Sequence, residues 1–109
     1  MKIYISGKIS GLPIEAAKAK FKWHAGFLDL KGYEPVNPFD VEPIFEKPLS
    51  EYTKDEIWAI FMAADIKELF ACDAIYMMKD WGQSKGARVE YAIAKEIGLK
   101  IFYEGEFNN

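Results

Sequence analysis

Four short β-rich runs alternate with three stretches of helical periodicity along this chain, and that alternation limits the folds open to it. "KIYIS" (2–6), "YEPVNP" (33–38), "DAIYMM" (73–78) and "KIFYE" (100–104) read as strands. Between the first two, Ala17, Phe21, Ala25 and Leu28 recur at helical spacing. Pro13 suits the first turn of that helix and Gly32 its stop. Thr53 and Glu56 form a capping-box signal for a second helix running to about residue 71. A third begins at Gly82 or Ser84 and ends at Gly98. The order β-α-β-α-β-α-β predicts an α/β fold, a mostly parallel four-stranded sheet with helices on both faces. With 109 residues, one domain spanning residues 1–109 is expected.

The first and third runs are the most apolar, so they should be the central strands. The second must be short, because its prolines cannot donate ladder hydrogen bonds. In open sheets of this kind, ligands bind at the carboxyl ends of the strands, where the winding reverses. Two loops rich in Gly and Ser would meet there: "SGKISG", with Ser6, Gly7, Lys8 and Ile9, and "DWGQSKG", with Trp81, Ser84 and Gly86. They read either as tight turns or as a shared site for an anion or nucleotide.

Composition excludes several classes. Lys plus Arg total 14 against 17 Asp plus Glu, and a net charge of −3 does not suit polymeric nucleic acid. Cys72 is the single cysteine, which rules out an internal disulfide and a Cys-rich metal site. His24, the single histidine, has no nearby partner for a metal, so packing or surface exposure is its expected role. No window is apolar over the ~18 residues of a membrane span. The opening "MKIYISG" enters a strand directly, so a cytoplasmic protein without a signal peptide is expected.

Two carboxylates break the apolar pattern. Glu90 is the one charged residue on the small, apolar arc of the third helix. Asp65 interrupts an arc formed by Phe61, Trp58, Leu69 and Met62 on the second. Carboxylates in such places are either paired, with Lys8 or Arg88 as candidate partners, or functional. Two acids in different apolar settings acquire separated pKa values, which is what glycosyl chemistry requires: one ionised nucleophile and one proton donor. Tyr4, two residues before the first loop, suits orientation of a carboxylate and equally suits strand packing. Ser84 suits either an anion or a helix N-cap. Trp81 suits stacking on a ring or covering the core. The second helix is apolar on nearly all sides, which fits a subunit interface or a place beneath the loop at 39–49.

Together, "YISGKISG", "FLDLKGYEPVNP", "DIKELFACDAIYMM", "WGQSKGARVEYAIA" and "GLKIFYE" resemble the DUF4406 family, which is similar to the nucleoside 2-deoxyribosyltransferase superfamily, nucleoside 5′-monophosphate N-glycosidases included. The resemblance covers nearly the whole chain. It implies a small flavodoxin-like or Rossmann-like domain, usually oligomeric, that cleaves N-glycosidic bonds without metal or cofactor. By this resemblance Glu90 in "SKGARVE" is the nucleophile, Asp65, eight residues before Asp73, the partner acid, and Tyr4 the tyrosine of the first strand. Ser84, six residues before Glu90, stands where the monophosphate hydrolases hold the 5′-phosphate. Related members carry "SGPITG" where this chain has "SGKISG". Some transferases complete a neighbour's site with a C-terminal asparagine, and Asn108 and Asn109 close this sequence.

The expected function is therefore cleavage of a (deoxy)nucleoside or nucleoside 5′-monophosphate, by hydrolysis or base transfer. Glu90, Asp65 and Tyr4 would be catalytic; Ser6, Gly7, Lys8, Ile9, Trp81, Ser84 and Gly86 would bind substrate. A non-catalytic nucleotide-binding or regulatory module is the alternative.

Overall fold

The computed structural model describes residues 1–106. The order is β1 (Lys2–Ser6), α1 (Ile14–Leu30), β2 (Glu34–Val36), α2 (Lys54–Phe70), β3 (Ala74–Met77), α3 (Lys85–Glu96) and β4 (Lys100–Tyr103). The four strands form one sheet in the order β2-β1-β3-β4. Every pairing is parallel. The apolar β1 and β3 are central, as their composition predicts. β2 is shorter than its run because Pro35 and Pro38 limit it, and it lies at an edge where a missing donor is tolerated.

Alternation along β1 and β3 splits the core in two. Ile3, Ile5, Ala74, Tyr76 and Met78 pack with Phe21 and Leu28 of α1. Tyr4, Ile75 and Met77 pack with Leu69 of α2 and with Ala87 and Ala94 of α3. Helices thus cover both faces. His24 is buried in the first layer, its Nδ1 3.0 Å from the Tyr76 hydroxyl. Cys72 is buried beside the second, and burial pushes its thiol up to about 11, leaving it unreactive.

Local chemistry fixes the helix ends. Thr53 Oγ1 accepts the Glu56 amide and Glu56 returns the bond to the Thr53 amide, completing the capping box. Ser84 caps α3 by accepting from the Ala87 amide at 3.1 Å. Pro13 stands one position earlier than expected, immediately before α1. The loop after β2 holds single 3-10 turns at Pro38–Asp40 and Leu49–Glu51. It touches α2 through Phe45 and Phe61, whose ring centroids are 5.8 Å apart, but does not bury the helix. Trp58, Phe61 and Phe70 stay exposed, and Met62 and Leu69 are the buried residues of α2. No helix among the described residues is long and apolar enough to cross a membrane.

The exit of β1 crosses very close to that of β3. A Cβ at Gly7 would stand 2.9 Å from Met78 Sδ and 3.0 Å from Met78 Cβ. The Met78 amide meanwhile donates to the Ser6 carbonyl at 2.9 Å, which holds the two chains at that separation. Gly7→Ala should therefore destabilise the fold by about 1–3 kcal/mol through overpacking. Urea unfolding would measure this, and in a Met78→Ala background, where the thioether is gone, the same Gly7→Ala change should cost less.

Candidate active site

Tyr4 and Ser6 are two apart on β1, so both project onto the face covered by α2 and α3. There they meet Glu90. The Tyr4 hydroxyl donates to Glu90 Oε2 at 2.6 Å, and the Ser6 hydroxyl donates to Oε1 at 2.7 Å. Glu90 is only 5% exposed. Burial pushes its carboxyl above the ordinary range, and the two hydroxyl donors pull in the opposite direction. The Tyr4 hydroxyl is itself held well above its ordinary value by burial and then by the adjacent Glu90. It stays a proton donor.

Asp65 faces the same space from α2. Its carboxyl is raised to about 7, first by burial and then by the negative charges of Glu90 and Glu68. Two acids thus share one enclosure, both raised by burial, and hydroxyl donors hold Glu90. Among the described residues neither belongs to an ion pair. The structural alternative with Lys8 or Arg88 is not realised: the Arg88 guanidinium donates to the Gly82 carbonyl, and Lys8 is engaged through its main chain.

The enclosure is a cavity of about 580 Å³ at the carboxyl end of β1, bordered by Tyr4, Asp65 and Glu90. Its volume falls within the roughly 300–1,000 Å³ of small-molecule sites. Gly7, Ile9 and Ser10 border it from the β1 loop, and Ser84 and Gly86 from the start of α3. Gly86 lets α2 approach: a Cβ there would meet Met62 Sδ at 3.2 Å. Ile57, Trp58 and Phe61 form an apolar wall, with Pro38, Phe39 and Val41 from the loop after β2. Lys18 and Lys54 add positive charge.

Sequence reasoning places Tyr4, Gly7, Ile9, Asp65, Ser84, Gly86 and Glu90 around one space, and they border it. Ser6 reaches the site by binding Glu90. Two residues stand elsewhere. Trp81 stacks on Tyr91, with ring centroids 4.5 Å apart, and covers the core. Lys8 does not border the cavity, and its amide is committed to Asp80 Oδ1 at 3.0 Å. Asn108 and Asn109 lie outside the described residues. The aromatic and lysine contributions from Phe39, Lys18 and Lys54 went unforeseen. Lys18 belongs to a generally exposed charge pattern on α1, and a loop of irregular backbone offers no periodicity to read. No group of three His, Cys, Asp or Glu side chains suited to a metal occurs among the described residues.

A family model described as "Domain of unknown function (DUF4406)" matches residues 1–103. The chain belongs to the DUF4406 family. Among curated proteins no match to it is found. Every element that builds the cavity of this DUF4406 protein falls inside the matched span.

The Asp65 carboxyl gives a test that needs no substrate. Its folded-state value of about 7 exceeds the ordinary 3.8, so the native protein holds this proton more tightly than the unfolded chain. The stability it confers is full at low pH and falls as pH rises from about 4 through about 7. Asp65→Asn removes that decline. Above pH 7 the variant should be more stable than the parent by on the order of 1–2 kcal/mol, a figure reduced for partial solvent screening, with little difference near pH 4. Urea unfolding across that range measures it.

Proposed function

We propose that this protein cleaves the N-glycosidic bond of a (deoxy)nucleoside or nucleoside 5′-monophosphate. The observation carrying the reading is a buried glutamate, oriented by two hydroxyls, beside a second acid whose carboxyl is raised to about 7, in one nucleoside-sized cavity. The resemblance to the deoxyribosyltransferase superfamily supports it.

In this mechanism ionised Glu90 attacks C1′ of the sugar. A C1′–O bond forms as the C1′–N bond breaks, and the bonding pair leaves with the base. Protonated Asp65 gives its proton to that base. The resulting glycosyl ester is resolved by water, whose proton returns to Asp65, or by a second base. The first outcome is hydrolysis and the second is transfer. Tyr4 and Ser6 hold the carboxylate in one orientation and leave its remaining lone pairs facing the cavity. The apolar wall of α2 suits a planar base. Ser84, at the start of α3, and the lysines on the wall suit a 5′-phosphate.

The exposed apolar surface of α2 supports a homo-oligomer, which is the usual state in the resembled superfamily. A cytoplasmic location is part of the same proposal, since nucleotides are made and salvaged there.

The reading is tested by incubating the protein with a panel of nucleosides and 5′-monophosphates and following released base by chromatography. Glu90→Ala should lower release by about 1,000-fold or more. Base release that survives this substitution would remove the mechanism, and no release from any substrate by the parent protein would favour a binding module. The pH profile should be bell-shaped, because Glu90 must be ionised and Asp65 protonated. Its alkaline limb should fall near the Asp65 value of about 7. Asp65→Asn should abolish that limb and lower the maximum by about 100-fold.

A further inference from the structure

The two exit loops are joined by a side chain that has no place in the chemistry above. Asp80, just past β3, accepts the Lys8 amide on Oδ1 at 3.0 Å. Its Oδ2 accepts from Lys20 Nζ of α1 at 2.5 Å. The same ammonium donates to the Lys8 carbonyl at 2.9 Å. The NH and the carbonyl of Lys8 are therefore both gripped, by one acid from the neighbouring loop and one base from the helix that follows. Lys8 is two residues beyond Ser6, whose hydroxyl holds Glu90.

We propose that Asp80 is a positioning residue: with Lys20 it fastens the β1 exit loop and so holds Ser6 against Glu90. The inference rests on the reading of Glu90 as the reactive group only where activity is measured.

The geometry distinguishes this triad from an ordinary surface ion pair, which contributes little. Lys20 and Asp80 are each about three-quarters covered, at 27% and 28% side-chain exposure. Burial alone would push the Asp80 carboxyl up, yet the bonds from Lys20 and the Lys8 amide hold it below its ordinary value. The acid is thus ionised and its bonds are charge-assisted. Gly7, between Ser6 and Lys8, lies against Met78 with no room for a side chain. The loop is pinned at two consecutive residues, first by close packing and then by Asp80. Ser6 keeps its main-chain bond from Met78, so release of Lys8 loosens the direction in which the chain leaves Ser6 and weakens the Ser6–Glu90 bond, while the Tyr4 bond stays.

The experiment uses the whole chain with Asp80→Ala, Asp80→Asn and Lys20→Met, and reads three quantities. Amide exchange of Lys8 should quicken by about tenfold or more in Asp80→Ala, which removes its acceptor, with the β3 amides as an unchanged control. It should stay near the parent rate in Asp80→Asn, which keeps an oxygen acceptor. The carboxyl-carbon titration of Glu90 should move upward in Asp80→Ala, because a donor that favours the ionised form is lost. Base release should lose kcat by about tenfold with KM little changed. An unchanged Lys8 exchange rate in Asp80→Ala would overturn the proposal. So would an unchanged Glu90 titration in a variant whose loop has loosened. If the parent releases no base, the glycosidase reading fails while exchange and titration still decide the role of Asp80. Should Asp80→Ala fail to fold, Lys20→Met, which frees the Lys8 carbonyl, supplies the Glu90 titration, and an unmoved titration there would overturn the proposal.

Discussion

A carboxylate almost wholly removed from water, held by two hydroxyl groups of the neighbouring strand, is the constraint around which this structure is arranged. Burying a charge without partners costs several kcal/mol, and Glu90 has no cation among its partners within the described residues. Tyr4 and Ser6 supply charge-assisted bonds to both of its oxygens, which offsets part of that cost. A lysine in their place would stabilise the ionised form more strongly. It would also neutralise the carboxylate and occupy the space in front of it. Hydroxyl donors orient the acid and leave the cavity in front of it open.

That solution depends on the sheet. Parallel strands direct their carboxyl ends to one edge, and β1 and β3 are neighbours there with their following helices on opposite faces. The exits of the two strands stay in contact, and the hollow lies beside them, between the β1 loop, the loop after β2 and helices α2 and α3. The period of two along β1 divides its labour: Ile3 and Ile5 anchor the layer with α1, while Tyr4 and Ser6 carry the site. A one-residue slip would exchange these sets, so the burial of the isoleucines also fixes the register of the functional pair.

The alternation of elements, the central strands, the capping box of α2 and the Ser84 cap were legible because each rests on spacing within a few residues. Glu90 and Asp65 were legible for the opposite reason, as residues that violate the pattern of an apolar arc. What escaped reading depends on contacts between distant segments. Lys8 looked like a phosphate ligand because it is basic and lies in a glycine-bearing loop, and only its proximity to Asp80 shows that its amide is already committed. Trp81 was open to two readings, and the stacking on Tyr91, ten residues away in sequence, selects the packing one. Phe39 and Val41 reach the cavity from a loop whose path depends on prolines and single 3-10 turns, so no periodic signal marks them.

The position of α2 shows why so apolar a helix is only half covered. Its buried contacts are few, yet it is firmly terminated by the Thr53–Glu56 box and approaches α3 at Gly86. Pressed fully against the sheet, the helix would close the cavity and bury Asp65 next to Glu90, where two neighbouring acids could not both ionise. Set further away, it would return Asp65 to water and to an ordinary proton affinity. The observed separation keeps a hollow of about 580 Å³ and a carboxyl near 7 at the same time. The unfilled space and exposed aromatic surface cost the monomer stability, and that cost is intelligible if a planar apolar ligand, and a second copy against the outer face of α2, cover what the sheet leaves bare.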